Sequence, residues 1–263
     1  MPDQHEKAAT LQSLHRGEPF LIANAWDAGS ARVLAGLGFK ALATTSSGFA
    51  YTLGRKDGRT TLDENCRHIA ALDAATDLPL SADLENGYGD APADAANAIT
   101  RAAGAGAVGG SIEDWGEQAG IYTLDHAVER VAAAVEAARA LDFPFTLTAR
   151  AENHIRGNPD LDDTIARLQA YEQAGADVLY APGLRTADEV RSVCDAVGRP
   201  VNVLALPGLS MAEVAEAGAQ RVSVGGWLTW VAVAGFAEAA GALLERGDFS
   251  VLRSPKRLGE WLG

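Results

Sequence analysis

The chain has 263 residues, a formal net charge of -13 and an apolar content of 48%. That apolar fraction can bury a substantial core, which excludes a disordered or fibrous chain. The acidic balance argues against a nucleic-acid partner, because binding of phosphates calls for a basic surface. Two cysteines, Cys66 and Cys194, are too few for a disulfide framework and indicate a cytoplasmic setting. The N-terminus lacks the apolar core of a signal peptide, and the most apolar stretch, 224–237, is too short to span a bilayer, so no membrane partner is expected.

Eight short apolar runs alternate with longer amphipathic segments along the chain. Near-continuous apolar runs of this length are typical of parallel strands that are buried on both faces. The predicted strands are 20–26, 41–47, 79–85, 107–113, 145–152, 176–182, 200–206 and 221–227. Apolar residues at helical spacing predict helices over 61–76, 125–141, 161–174 and 187–197.

Four connections between a helix and the next strand repeat one pattern: LAGLGFKAL, RAAGAGAVGG, YEQAGADVL and VAEAGAQRV. Each places a glycine after the helix, where a left-handed backbone is needed. Eight such units fit either a closed (β/α)8 barrel or an open doubly wound sheet. The first strand continues into NAWDAGSAR, without a glycine-rich phosphate loop, which favours the barrel. We therefore predict an α/β fold with one barrel domain over 1–263, in which 236–263 forms a C-terminal helical extension that docks on its own core or on a neighbouring subunit.

Polar residues collect where the predicted strands end, which is the catalytic end of such barrels. Asp83, Glu85 and Glu113 follow one another on adjacent strands and would repel without a cation. Oxygen ligands without cysteine or histidine favour Mg²⁺, with Mn²⁺ as an alternative, and Mg²⁺ often binds only one or two carboxylates directly. Arg150 lies in an apolar strand, where a guanidinium needs an anionic partner: Glu152, one of the site acids or a substrate carboxylate.

Several of these polar positions also have a purely structural interpretation. Asp27 is more readily explained as the cap of a helix over 28–37. Glu113 and Asp114 could be loop acids that pair with arginines, and Asn202 could either satisfy backbone groups or contact substrate. Three aromatic residues near the strand ends could line the site, the core or its rim: Trp26, Phe49 and Trp115.

Four motifs on successive strands resemble the isocitrate lyase/phosphoenolpyruvate mutase superfamily. They are TSSGFAxxLGxxDG at 45–58, DLENGYG at 83–89, IED at 112–114 and ARAE at 149–152. The resemblance extends from about residue 20 to residue 227. It implies a (β/α)8 barrel whose final helix is commonly exchanged between subunits, in a homodimer or a homotetramer.

The resemblance also implies roles for individual residues. It implies Mg²⁺ at Asp83, with Glu85 and Glu113 acting directly or through water. It implies that the backbone of Ser47 and Gly48, together with Arg150, receives the carboxylate end of the substrate. We expect the catalytic residues to be Asp57, Glu113 and Arg150, and the substrate contacts to come from Trp26, Ser47, Gly48, Phe49, Asp83, Arg150 and Asn202.

The chain departs from the superfamily in the loop after the fourth strand. Cysteine-dependent lyases carry Lys-Lys-Cys-Gly-His there, whereas this loop reads DWGEQAGIY and neither cysteine lies near it. The phosphorus-transferring branch has lysine and asparagine in that loop and a histidine after the sixth strand, where this chain has Ala181 and Pro182. What remains is the centre that stabilises an enolate.

These observations predict a Mg²⁺-dependent carbon–carbon lyase or decarboxylase that acts on a small 2-oxo dicarboxylate such as oxaloacetate. Proton transfer is open among Glu113, Asp57, Tyr88 and Tyr122. The alternatives are cleavage of a C–P bond of the phosphonopyruvate type, lyase activity of the 2-methylisocitrate type, and a barrel that binds a 2-oxo acid without turning it over.

Overall fold

The computed structural model describes residues 2–255 and 257–262. Its strands are β1 (Phe20–Ala25), β2 (Leu42–Thr44), β3 (Leu80–Asp83), β4 (Gly109–Glu113), β5 (Trp115–Gly116), β6 (Gly120–Ile121), β7 (Thr146–Arg150), β8 (Val178–Tyr180), β9 (Val201–Leu204) and β10 (Arg221–Ser223). Eight of these strands close into a parallel barrel in the order β1-β10-β9-β8-β7-β4-β3-β2, while β5 and β6 form a short antiparallel hairpin. Each predicted strand contains one barrel strand, so the predicted (β/α)8 barrel is confirmed.

Helices alternate with the barrel strands. They are α1 (Gln4–Leu14), α2 (Ala28–Leu37), α3 (Ser46–Thr52), α4 (Leu62–Asp73), α5 (Pro92–Gly104), α6 (Leu124–Arg139), α7 (Leu161–Gln173), α8 (Ala187–Ala196), α9 (Met211–Glu216), α10 (Trp227–Arg246) and α11 (Leu258–Leu262), with a 3-10 turn at Phe249–Val251. The four predicted helices are confirmed. Asp27 caps α2 as expected, because its Oδ1 accepts the Ser30 N–H at 2.7 Å. The four connecting glycines are left-handed as predicted: Gly38, Gly106, Gly175 and Gly218.

The strand register fixes which side chains meet at the barrel mouth. In the β4–β7 ladder, Gly109 lies opposite Thr146 and Glu113 lies opposite Arg150. The neighbouring β3–β4 ladder ends with Asp83 opposite Ser111. Three charged residues therefore reach the same end of the barrel from adjacent strands, which is the position of catalytic residues in this fold.

The C-terminal region differs from the repeated βα units. Helix α10 has 20 residues and a mean hydropathy of 1.5, and only 11% of its most apolar part is buried. By length and composition alone it could cross a membrane. It extends beyond the charge-free stretch 224–237, which is too short to do so, and includes Glu238 and Glu245. Large apolar side chains on α10 and in the segment after it are exposed: Trp227, Trp230, Val231, Phe236, Leu244, Phe249 and Leu252.

The last helix packs back on the chain's own barrel. The Trp261 indole of α11 lies directly over Gly36 of α2, where a side chain larger than hydrogen would collide with it. Arg32 of α2 also donates to the Leu262 carbonyl at 2.6 Å. Helix α11 thus contacts α2 of its own chain, while the outer face of α10 stays uncovered in this chain.

Candidate active site

A cleft of about 370 Å³ opens at the C-terminal ends of the barrel strands. None of its described lining residues is a cysteine or a histidine, and seven are charged: Asp57, Glu85, Asp90, Glu113, Glu117, Arg150 and Arg156. A smaller cavity of about 60 Å³, which Asp83 lines, continues into the barrel below. A larger cavity of about 660 Å³ lies at the opposite end, beside α1, far from these strand ends. The charged residues at the strand ends make this cleft the candidate active site.

The chain makes a tight turn directly after β3. Asp83 is the last residue of the strand, and its Oδ2 accepts the Ser46 backbone N–H at 3.0 Å. Glu85 and Tyr88 then adopt φ values of 50° and 64°, the only positive values among the described residues other than glycine. Such backbone conformations are costly for residues with a side chain and cluster at functional sites. The Asp83 carbonyl accepts from Asn65 Nδ2 at 3.0 Å, which helps to hold the turn.

Arg150 pairs with three acidic side chains, Glu152, Glu113 and Asp83. Its Nε donates to Glu152, which is fully buried, and its Nη1 lies 3.4 Å from Glu113 Oε2. Asp83 Oδ1 is also within 3.9 Å of Nη1. The guanidinium lies 5.3 Å from the centre of the Tyr180 ring. Glu152 and Glu113 therefore supply the anionic partner that the sequence required.

Arg156 is a second arginine in the cleft, and it is not among the site residues predicted from the sequence. Its Nε donates to Glu152 Oε2 at 2.9 Å, while its Nη2 lies 3.7 Å from Glu113 Oε1. Its guanidinium stacks 3.5 Å from the centre of the Trp115 ring, which belongs to the β5–β6 hairpin. Arg150 and Arg156 thus share two acids. The sequence feature that could have pointed to Arg156 is its position four residues after Glu152. The segment around it has no periodicity, so this spacing did not stand out.

Asp114 faces away from the cleft, although it is next to Glu113 in sequence. Its Oδ1 accepts the Glu152 backbone N–H at 2.7 Å. Its Oδ2 accepts from Arg167 Nη1 at 3.0 Å and from the Tyr171 hydroxyl at 2.5 Å. For Asp114 the structural interpretation, pairing with an arginine, is confirmed.

The carboxyl groups of the cleft are difficult to ionise together. Burial, followed by the charges of Asp83 and Asp57, raises the pKa of Glu85 to about 8. Burial also raises the pKa of Glu113 well above its usual range, against the opposing charge of Arg150. The pKa of Asp57 is raised by lost hydration in the cleft and then by Asp83, although part of this side chain remains in water. The site therefore concentrates negative charge that its two arginines do not fully compensate.

These acids fit a hard divalent cation that retains part of its water shell. Within 2–255 and 257–262, no group of three or more His, Cys, Asp and Glu side chains is arranged so that it could hold a metal ion by itself. Glu113 lies between two guanidinium groups, which reduces its availability as a direct ligand. Mg²⁺ commonly takes one or two carboxylates and keeps several waters. The donor set therefore suits Mg²⁺ at Asp83, with Glu85 and Glu113 reached directly or through water.

The loop after β2 contains two of the expected substrate contacts. Ser47 and Gly48 lie in the first turn of α3, and the Gly48 N–H donates to Thr45 Oγ1 at 3.3 Å. A Cβ atom on residue 48 would lie 2.6 Å from Thr229 Oγ1 and 3.0 Å from Trp26 Cβ. Glycine is therefore needed at position 48, because α3 closely approaches Trp26 and Thr229 there. Contact of Ser47 and Gly48 with substrate stays a prediction.

Three other expected substrate contacts do not line the cleft. Phe49 stacks on His68, with ring centres 4.0 Å apart, and Trp26 packs beside α3. Asn202 lines the smaller cavity, where its amide accepts from Arg221 Nε at 2.8 Å and donates to the Ser223 hydroxyl at 2.9 Å. The structure thus shows another use for each side chain, and their substrate contacts also stay predictions.

The tyrosines that were candidates for proton transfer are hydrogen-bonded elsewhere. The Tyr122 hydroxyl donates to Asp90 Oδ1 at 2.5 Å, and burial together with this bond raises its pKa to about 12. The Tyr88 hydroxyl pairs with Asn65, and burial raises its pKa further still. Of the four candidates, Glu113, Asp57 and Tyr88 line the cleft, and the Tyr88 hydroxyl is already paired with Asn65.

A closed barrel with an acidic cluster and paired arginines at its mouth defines a barrel enzyme for small anionic substrates. The chain belongs to the phosphoenolpyruvate phosphomutase family, whose profile matches residues 11–244. It is a carbon–carbon lyase of the isocitrate lyase/phosphoenolpyruvate mutase type.

Three relatives illustrate the range of the family. A lyase/mutase candidate from Burkholderia cenocepacia J2315 is 54% identical, with a TM-score of 0.94 over 98% of this chain and 96% of that chain. An oxaloacetate decarboxylase from Paraburkholderia xenovorans is 30% identical over 74% of this chain and 67% of its own length. The structure of an oxaloacetate acetylhydrolase with its product oxalate is 25% identical, with a TM-score of 0.89 over 100% of this chain and 96% of that chain.

Proposed function

We propose that this enzyme is a Mg²⁺-dependent lyase that decarboxylates a small 2-oxo dicarboxylate such as oxaloacetate. The observation that carries the proposal is a cleft in which Arg150 meets Asp83 and Glu113, while no described cysteine or histidine lines it. Relatives that decarboxylate or hydrolyse oxaloacetate support the choice of substrate.

Arg150 is the residue that binds and orients the 2-oxo acid in this proposal. Its Nε is held by buried Glu152, so the rest of the guanidinium can point towards the cleft with little loss of conformational entropy. A divalent cation held at Asp83, with Glu85 and Glu113 nearby, would withdraw electrons from the 2-oxo group and so favour an enolate. Asp83 is kept in place by the Ser46 N–H.

Loss of CO₂ from a 3-carboxy-2-oxo acid leaves the enolate of a 2-oxo acid, which then needs one proton on carbon. Glu113 and Asp57 are the two candidates whose carboxyl groups face the cleft. Decarboxylation needs no base to break the bond, whereas retro-aldol cleavage of a hydroxy acid does. The absence of a cysteine or histidine from the described cleft lining therefore favours decarboxylation.

We further propose that the enzyme works in the cytoplasm as a homodimer or homotetramer in which a second copy covers α10. The support is the row of exposed apolar side chains on this helix, including Phe236, which is 70% exposed, and Leu244, which is 89% exposed. Monomeric soluble proteins rarely expose a continuous apolar surface of this kind.

The function is tested by incubating the protein and Mg²⁺ with one compound at a time: oxaloacetate, phosphonopyruvate or 2-methylisocitrate. Pyruvate release is measured with and without EDTA. We expect release from oxaloacetate far above the background caused by Mg²⁺ alone, and we expect EDTA to abolish the enzymatic part. Release at the background rate would refute the decarboxylase proposal. Turnover of phosphonopyruvate or 2-methylisocitrate instead would replace it, and binding of 2-oxo acids without any turnover would indicate a binding protein.

A matched pair of variants connects this activity to the cleft. Arg150→Lys keeps the charge but loses the planar guanidinium, so we expect turnover to fall by about a hundredfold or more. Arg191→Lys changes an exposed arginine that pairs with Asp188 on α8, and it should leave turnover unchanged. Equal activity of both variants would show that the chemistry takes place elsewhere.

A further inference from the structure

Arg156 is held rigidly, although it lies at the rim of the cleft and is 32% exposed. One face of its guanidinium is covered by the Trp115 ring at 3.5 Å. Its Nε is bound to Glu152, whose own backbone N–H is anchored on buried Asp114 at 2.7 Å. A long side chain at a rim normally gains little from being ordered, because ordering it costs rotamer entropy. Stacking on Trp115 and the hydrogen bond to Glu152 already order the Arg156 side chain, so little further rotamer entropy is lost when a ligand binds.

The remaining edge of Arg156 is available for a ligand. Among residues 2–255 and 257–262, no hydrogen bond reaches its two terminal nitrogens, and Glu113 Oε1 lies at 3.7 Å from Nη2. A guanidinium edge with two adjacent N–H groups matches the geometry of a carboxylate. Arg156 therefore presents an ordered, planar donor pair to the cleft.

The position of this edge relative to Arg150 limits the size of the ligand. The two arginines bind opposite oxygens of the same Glu152 carboxylate. Their guanidinium groups are thus separated by one carboxylate and two hydrogen bonds, a span that a short dicarboxylate can bridge. Glu113 lies between the same two groups on the other side.

We propose that Arg156 binds the distal carboxylate of the substrate and so selects dicarboxylates over 2-oxo monocarboxylates. This inference rests on the proposed function, because it assumes that Arg150 takes the 2-oxo acid end. The distal carboxylate of oxaloacetate loses its charge as CO₂ departs, so its pairing with Arg156 weakens towards the transition state. Arg156 thus contributes affinity and selectivity and does not accelerate the chemical step.

The inference is tested by comparing how two 2-oxo acids bind in the presence of Mg²⁺. 3,3-Difluorooxaloacetate carries the distal carboxylate and pyruvate lacks it, and both dissociation constants are measured by calorimetry. For the unaltered protein we expect the dicarboxylate to bind at least about tenfold more tightly than pyruvate. Arg156→Gln should weaken dicarboxylate binding by about tenfold to a hundredfold and leave pyruvate binding unchanged. Arg156→Lys keeps the charge and should recover part of the lost dicarboxylate affinity. Arg191→Gln on α8 is the control and should leave both dissociation constants unchanged.

Kinetics give a second measurement wherever the enzyme turns oxaloacetate over. Arg156→Gln should raise KM by a similar factor and leave kcat unchanged or slightly higher. Equal weakening of both ligands would mean that Arg156 only supports the cleft, which overturns the inference. Equal affinity of the unaltered protein for the two ligands would overturn it as well. Failure of the proposed decarboxylation is a separate result, because it appears as absent turnover while the two binding constants can still be compared.

Discussion

Replacing Asp114 with asparagine tests whether the buried network under the cleft holds the fold together. Asp114 is 3% exposed and accepts from the Glu152 backbone, Arg167 and Tyr171. The neutral amide leaves Arg167 without its deeper acid, and breaking a buried ion pair typically costs about 3–5 kcal/mol. Arg167 keeps a second partner, Asp163, at 3.0 Å, so we expect a loss near the lower limit, about 3 kcal/mol.

The measurement is the free energy of unfolding in urea at pH 7, followed by circular dichroism. A loss of about 3 kcal/mol corresponds to a fall in Tm of roughly 6–12 °C for a chain of this size. The control is Asp188→Asn, which breaks an ion pair whose acid is 93% exposed and should cost less than about 1 kcal/mol. If Asp114→Asn is no more costly than this control, the network around Asp114 does not stabilise the fold.

Three further predictions follow from other parts of the molecule. Asp83→Asn should weaken Mg²⁺ binding at least about tenfold in a calorimetric titration, and an unchanged affinity would place the cation elsewhere. Burial lowers the pKa of His68 to about 4 in the folded protein. As the pH falls from about 6.5 to about 4, His68 is therefore protonated in the unfolded chain before it is protonated in the folded one. This difference should lower the free energy of unfolding by roughly 3 kcal/mol over that range. His68→Leu should remove this part of the pH dependence in urea unfolding, and an unaltered slope would contradict it. Phe236→Asp on α10 should shift the mass measured by light scattering towards the monomer, whereas an unchanged mass would show that this face is not an interface.

Much of the fold could be predicted because the sequence pattern is local. Strands buried on both faces are continuously apolar, and helix ends next to Gly38 or Gly218 require a left-handed residue. The strand-end rule also found Asp83, Glu113 and Arg150, because the carboxyl ends of all barrel strands meet at one mouth.

The orientation of individual side chains could not be predicted in the same way. Glu113 and Asp114 are neighbours, yet one faces the cleft and the other faces Arg167, because the side chains of successive residues at the end of β4 point to opposite faces. Asn202 looked available for substrate, but Arg221, 19 residues later in the chain, uses its amide oxygen. Such pairings depend on strand register, which places Arg221 directly opposite Asn202, and on the directions of the side chains, neither of which a single sequence shows.

The length, acidic charge and apolar content of the chain, together with its alternating pattern, were sufficient to predict a barrel and the acids at its mouth. Two cysteines outside the fourth loop were sufficient to argue against cysteine-based chemistry, and the structure places both on outer helices, α4 and α8. Only the tertiary structure showed that Arg156 stacks on Trp115 and shares Glu152 with Arg150. The reason is physical: periodicity determines which residues are buried, whereas the directions of charged side chains depend on partners brought together by folding.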